Sequence, residues 1–154
     1  MKKIEFIVSI LICQLAGILG SVFTMSEITN WYSILEKPLW TPASWVFGPV
    51  WITLYTLMGV ALYLVWQKRN VSNVKKAILV FSFQLVLNAL WSIIFFGLHN
   101  VFWALVEIII LLGSIIWTMF EFNKIDKRAM YLLLPYLLWV CVATALNYNI
   151  WILN

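Results

Sequence analysis

The stretch KKAILVFSFQLVLNALWSIIFFGLHN, residues 75–100, decides how the chain is to be read. It carries no charge from Ala77 to Gly97, a run close to the roughly 20 residues that a helix needs to cross a bilayer. A barrel strand is excluded, because the apolar residues do not alternate with polar ones. Only a helix satisfies its own backbone in hydrocarbon, where no water is available to the amides. Position then gives the few polar residues meaning. Gln84, Asn88, Trp91 and Phe95 recur at i, i+4, i+7 and i+11, so amides and aromatic rings share one helix face. Polar groups at this depth are costly against lipid, and the face is expected to look inward.

Four further runs have the same character: Glu5 to Met25, Trp45 to Trp66, Phe102 to Phe122 and Tyr131 to Leu153. The chain is 64% hydrophobic and 10% charged over 154 residues, far from the composition of a soluble domain and enough for one compact unit. The expected fold is an all-α bundle of five transmembrane helices forming a single domain, with the lipid bilayer as its first partner. An odd number of spans places the termini on opposite sides. Lys2, Lys3, Lys68, Arg69, Lys75, Lys76, Lys124, Lys127 and Arg128 then share one face, which the positive-inside rule assigns to the cytoplasm. The N-terminus is expected inside and the C-terminus outside, in a multi-pass protein of the cell membrane. The formal charge of +4 follows from this orientation and the anionic inner leaflet. No nucleic-acid partner is expected, since no basic stretch interleaves with an exposed aromatic platform. The first run opens on Lys2 and Lys3 like a secretory signal, but it continues to Met25 without an A-x-A-like site and reads as a retained helix.

Residues 67–76, 98–101 and 123–130 are short connections that turn neighbouring helices antiparallel. Residues 26–44 form the long exception. There Asn30 is an N-cap candidate, Trp31, Ile34 and Leu35 have helical spacing, and Pro38 stops the turn, giving a short amphipathic lid over the outer mouth. Pro42 keeps the chain extended, Gly48 and Pro49 fit the first turns of the second span, and Pro135 is expected to kink the fifth. No internal repeat is visible, which argues against the inverted-repeat design of many transporters.

Counted from the span ends, Trp51, Asn88, Trp91, Glu107 and Asn147 lie in the outer half of the membrane and Trp139 nearer the middle. Trp31, Trp40, Trp45, Trp103 and Trp151 fit an outer aromatic belt, Trp66 and Trp117 an inner one. Trp51, Trp91 and Trp139 do not. In the fifth span Pro135, Trp139, Val142, Ala143, Leu146 and Asn147 form a stripe, and in the second Trp51, Tyr55 and Met58 form another. These stripes are expected to face one another across an interior space that Ala143 helps to leave open. The alternative is that Gln84, Asn88 and Asn147 only bond neighbouring helices and the tryptophans pack the core. Glu107 is either a functional carboxylate or a group neutralised at a helix contact. Cys13, Gly17 and Ser21, with Ala16 and Gly20, make small-residue rows suited to close packing within or between protomers. Cys13 and Cys141 act as apolar residues, His99 is an interfacial loop residue, and no metal site follows. There is no nucleophile paired with a base and no phosphate-binding loop, so hydrolytic and phosphoryl chemistry are not expected.

The blocks WYSILEKPLWTP, FGPVWITLYTLMG, YLVW, QLVLNALWSIIFFG, WALVE and PYLLWVCVATALNYNIW, in order from Trp31 to Trp151, resemble the translocator protein family. Its members are also called tryptophan-rich sensory proteins and were formerly peripheral benzodiazepine receptors. The resemblance implies a five-helix bundle, commonly a homodimer, whose pocket beneath the long loop binds porphyrins, synthetic aromatic ligands and, in animal relatives, cholesterol. Carried over position by position, it implies a pocket lined by Tyr32, Trp51, Asn88, Trp91, Trp139, Ala143, Leu146 and Asn147 under a lid containing Lys37, Pro38 and Pro42. Ala43 departs from the second proline frequent in that loop, which loosens the lid. No Lys or Arg follows Tyr148 through Asn154, so sterol binding is not assigned.

The function expected is binding of protoporphyrin IX and similar lipophilic ligands, with a role in tetrapyrrole sensing or metabolism. Trp51 and Trp139 would contact the macrocycle, Asn88 and Asn147 orient it, and Lys37 approach its propionates. No cofactor is expected, and without an obvious axial ligand metal-free protoporphyrin is favoured over haem. Two other classes stand beside binding. One is light- and oxygen-dependent degradation of protoporphyrin IX, reported for some bacterial relatives, with Trp51 and Trp139 as electron donors. The other is transport, for which the bundle is small.

Overall fold

The computed structural model describes residues 2–154. Among them the helices in chain order are α1 (Lys2–Thr29), α2 (Trp31–Ile34), α3 (Ser44–Trp66), α4 (Lys75–Ser92), α5 (Val101–Asn123), α6 (Lys127–Leu132) and α7 (Leu134–Leu153). A π-helical turn, Ile93–Gly97, prolongs α4. The chain is all-helical, with five runs long and apolar enough to cross a membrane: α1, α3, α4 with the π-turn, α5, and α6 with α7.

The apolar runs set these helices, and local chemistry sets their ends. Asn100 starts α5 by accepting the Trp103 N–H at 3.1 Å. Asp126 starts α6 by accepting the Arg128 N–H at 2.9 Å, and the same guanidinium holds its carboxyl below the usual range. Three details differ from the sequence expectation. Helix α1 continues through Ser26 and Glu27 to Thr29, so the lid is four residues shorter at its start than expected. Asn30 makes no side-chain cap bond at the start of α2. Pro135 does not kink a continuous helix: lacking an N–H, it sits in the first turn of α7, and the chain breaks at Leu133 instead.

The small-residue rows of α1 serve packing within this chain. A Cβ on Gly59 of α3 would lie 2.5 Å from the Ile10 backbone, and Gly17 faces the Tyr55 ring. Further along, Gly20 rests against Ser92, and Phe23 against Gly97. Helix α1 therefore lies on α3 over its first half and leans towards the α4 end over its second. The opposite face, with Ile7, Leu11, Leu15 and Leu19, is exposed as a lipid-facing surface would be.

Two apolar clusters fill the bundle. The larger, around Met58, Val65, Phe81, Ile115, Phe122 and Leu133, occupies the end away from the lid, where Phe81 and Phe122 stack at 5.5 Å. The smaller joins Tyr32 to Phe95, Phe96, Ala104, Leu146 and Ile150 beneath the lid. Charged pairs gather at the far end: Arg69 with Glu5 at 2.8 Å, and Lys76 and Lys124 both with Glu121 at 2.9 and 3.0 Å.

Candidate ligand cavity

Between the two clusters the helices leave a cavity of about 440 Å³, within the roughly 300–1,000 Å³ typical of small-molecule sites. Tyr32, Trp51, Asn88, Trp91, Trp139, Ala143, Leu146 and Asn147 all line it. The stripes read on the second, third and fifth spans therefore meet around one space. Lys37, Pro38 and Pro42 do not line it; they shape the loop above.

Aromatic rings build the walls. Trp51 stacks on Tyr55 at 5.4 Å and meets Tyr136 edge-on at 6.2 Å. Trp91 stacks on Phe95 at 5.0 Å, and Trp139 meets Phe47 edge-on at 5.9 Å. The Trp51, Trp91 and Trp139 rings are each only partly buried, so part of their surface is free for a guest.

The amides bond neighbouring helices, the alternative that the sequence left open. The Tyr55 hydroxyl donates to Asn88 Oδ1, and Asn88 Nδ2 donates to the Tyr136 hydroxyl at 2.9 Å, which donates to Gln84 Oε1 at 2.9 Å. Asn147 Oδ1 accepts the Trp91 indole N–H at 3.1 Å, and its Nδ2 donates to the Val101 carbonyl at 2.9 Å. Asn88 and Asn147 thus line the cavity while being engaged with protein partners, tying α3, α4, α5 and α7 together. Among the described residues the indole N–H groups of Trp51 and Trp139 have no such partner and remain available as donors.

The profile of the TspO/MBR family matches residues 9–152. The chain belongs to the TspO/MBR family. It is 44% identical to the tryptophan-rich protein TspO of Archaeoglobus fulgidus over all of this chain and 99% of that protein. To the human translocator protein it is 40% identical, over 90% of this chain and 83% of that one. To the tryptophan-rich sensory protein of Cereibacter sphaeroides it is 33% identical, over 97% and 90% respectively. With its five spanning helices, this TspO/MBR chain is a multi-pass membrane protein.

The lid of this TspO/MBR protein is fastened by side chains whose roles the sequence left unread. Trp31, expected in the interfacial belt, stacks on His99 at 4.4 Å and meets Phe95 edge-on at 5.5 Å. His99 Nε2 lies 3.0 Å from Glu27 Oε2 at the end of α1. Asn154 brackets Glu36, accepting its backbone N–H at 2.9 Å and donating to its carbonyl at 3.0 Å. The Lys37 ammonium donates to the carbonyls of Tyr32 and Leu35, both at 2.7 Å, and lies over the Tyr32 ring. It closes the end of α2 and does not reach the cavity, contrary to its expected approach to a ligand. Burial pushes the Tyr32 phenol up to about 12, which keeps it protonated.

Two further polar positions lie inside the spans. Gln14 lines the cavity and joins α1 to α3, its Nε2 donating to the Ile52 carbonyl and to Thr56 Oγ1 at 3.0 Å each. A glutamine inside an otherwise apolar first span was the signal available for it. Glu107 is buried, and neither carboxyl oxygen has a hydrogen-bond partner among the described residues. It does not line the cavity, so a direct ligand contact has no support.

Proposed function

We propose that this protein binds protoporphyrin IX and similar flat lipophilic aromatic molecules in the cavity beneath its lid, in the outer leaflet of a bacterial cytoplasmic membrane, and serves tetrapyrrole sensing or metabolism. The observation that carries this reading is one interior space walled by Trp51, Trp91 and Trp139, two of them with unpaired indole donors. A porphyrin already dissolves in lipid, so release of water contributes little to its capture. Selection must come from ring contact and directed polar groups. Aromatic contacts contribute about 0.5–1.5 kcal/mol each, so the three tryptophan walls together favour the cavity over lipid by roughly 1.5–4.5 kcal/mol.

Titration with protoporphyrin IX in the dark, followed by tryptophan quenching, tests the assignment. Trp51→Leu and Trp139→Leu are each expected to weaken binding about 2- to 12-fold, the range that such a contact energy sets. Unchanged affinity in both variants would sink the reading.

A photo-oxidative reading has one observation in its favour. Trp51 touches two tyrosines whose hydroxyls share Asn88, which sets electron-rich side chains beside any bound photosensitiser. Illumination in oxygen separates catalysis from damage: many porphyrins consumed per intact protein support an enzyme, and one porphyrin lost per modified protein contradicts it.

A further inference from the structure

We propose that the cavity is entered sideways from the bilayer, through a mouth between the second half of α1 and the start of α3, by a flat lipophilic molecule dissolved in the lid-side leaflet. The identity of that molecule rests on the binding function proposed above; the mouth itself rests on packing. Helix α1 is held to α3 where Gly59 admits the Ile10 backbone and where Gln14 bonds Ile52 and Thr56. Beyond Gly17 it turns to other neighbours, with Gly20 against Ser92 and Phe23 against Gly97. Nothing takes its place opposite the start of α3: a Cβ added to Gly48 would meet no atom within 4 Å.

The residues framing this gap are at once cavity wall and outer surface. Ile18 and Met25 on α1 and Ile52 on α3 line the cavity, yet are 56%, 74% and 62% exposed. In a membrane such exposure is to acyl chains, so the interior and the bilayer meet there. The roof is the opposite case. Tyr32 is buried beneath the lid, and the lid is pinned through His99, Asn154 and Lys37. A guest passing overhead must undo those bonds and cross water, where a flat apolar molecule is least soluble. The lateral path requires neither step. A second groove runs between α3 and α7, but Trp139 lines both it and the cavity, and that ring with Phe47 stands between them.

Gly48→Phe tests the mouth, since a Cβ at Gly48 meets no atom within 4 Å and the added ring stands at the framing wall. In nanodiscs, stopped-flow quenching by protoporphyrin IX is expected to show association and dissociation slowed together, roughly tenfold, while the lid variants His99→Ala and Asn154→Ala keep wild-type rates. Wild-type rates in Gly48→Phe, or faster entry in the lid variants, would overturn the lateral route. A readout independent of porphyrin is quenching by phosphatidylcholine brominated in mid-chain. The Trp51 share of fluorescence, taken as wild type minus Trp51→Phe, is expected to be quenched, and protected in Gly48→Phe. Quenching without porphyrin binding would retain the mouth and reject the ligand; a Trp51 share untouched by brominated chains would reject the mouth.

Discussion

Asn88 shows how one residue can be placed correctly from sequence while the choice between its two tasks is left open. Its period with Gln84 and Trp91 puts it on the inner face of α4, and it does line the cavity. Its amide, however, is held between the hydroxyls of Tyr55 and Tyr136. Those partners lie on α3 and α7, distant in the chain, and no local spacing announces them. Asn88→Ala would orphan the Tyr55 hydroxyl and take its donor from the Tyr136 hydroxyl, which keeps only its bond to Gln84. Intramembrane hydrogen bonds average roughly 0.6 kcal/mol, but stranded buried groups cost about 1–3 kcal/mol, so a lower Tm is expected in detergent without any ligand. An unchanged Tm would return Asn88 to the role of a free ligand contact. Tyr32→Phe is the converse case, because the Tyr32 hydroxyl has no partner. Its removal is expected to leave the Tm unchanged or to raise it. The tryptophans were more legible, since a large ring with an N–H far from either interface has few reasons to be there except a partner or a guest.

At the scale of elements, the five spans were readable because length and lack of charge are properties of each run alone. Breaks inside them were not: the π-turn at Ile93–Gly97 and the interruption at Leu133 are choices of backbone path made by neighbouring helices. The small-residue rows of α1 were visible, but which helix they meet depends on the assembled bundle. Two glycines of α3 now have opposite expectations. Gly59→Ala drives a methyl into the Ile10 backbone and is expected to destabilise by about 1–3 kcal/mol. Gly48→Ala meets open space and is expected to be neutral or to stabilise by roughly 0.5–1 kcal/mol. Thermal unfolding of the two variants side by side checks the direction assigned to each. The lid is held by a few polar contacts, so His99→Ala and Asn154→Ala are expected to speed amide hydrogen exchange over residues 31–43 while leaving the spans protected. Unaltered exchange there would show that these contacts do not fasten the lid.

For the molecule as a whole, the arrangement is a bundle packed tightly at its charged end and left open near its lid. The larger apolar cluster and the pairs around Glu5 and Glu121 secure one end. At the other, the aromatic walls stop short of filling the space, because Ala143 is small and α1 leans away from α3. That combination suits a protein that takes flat guests from lipid without dismantling its core. The sequence made the existence of an inward aromatic face legible, along with the residues around it. It could not give the side opening or the partners of the engaged amides, since both arise from how helices far apart in sequence lean on one another. A structure determined with protoporphyrin IX bound tests the central claim most directly. The expected result is a macrocycle beneath the lid with its faces or edges against Trp51 and Trp139; a porphyrin resting on the outside of the bundle, with the cavity unchanged, would contradict it.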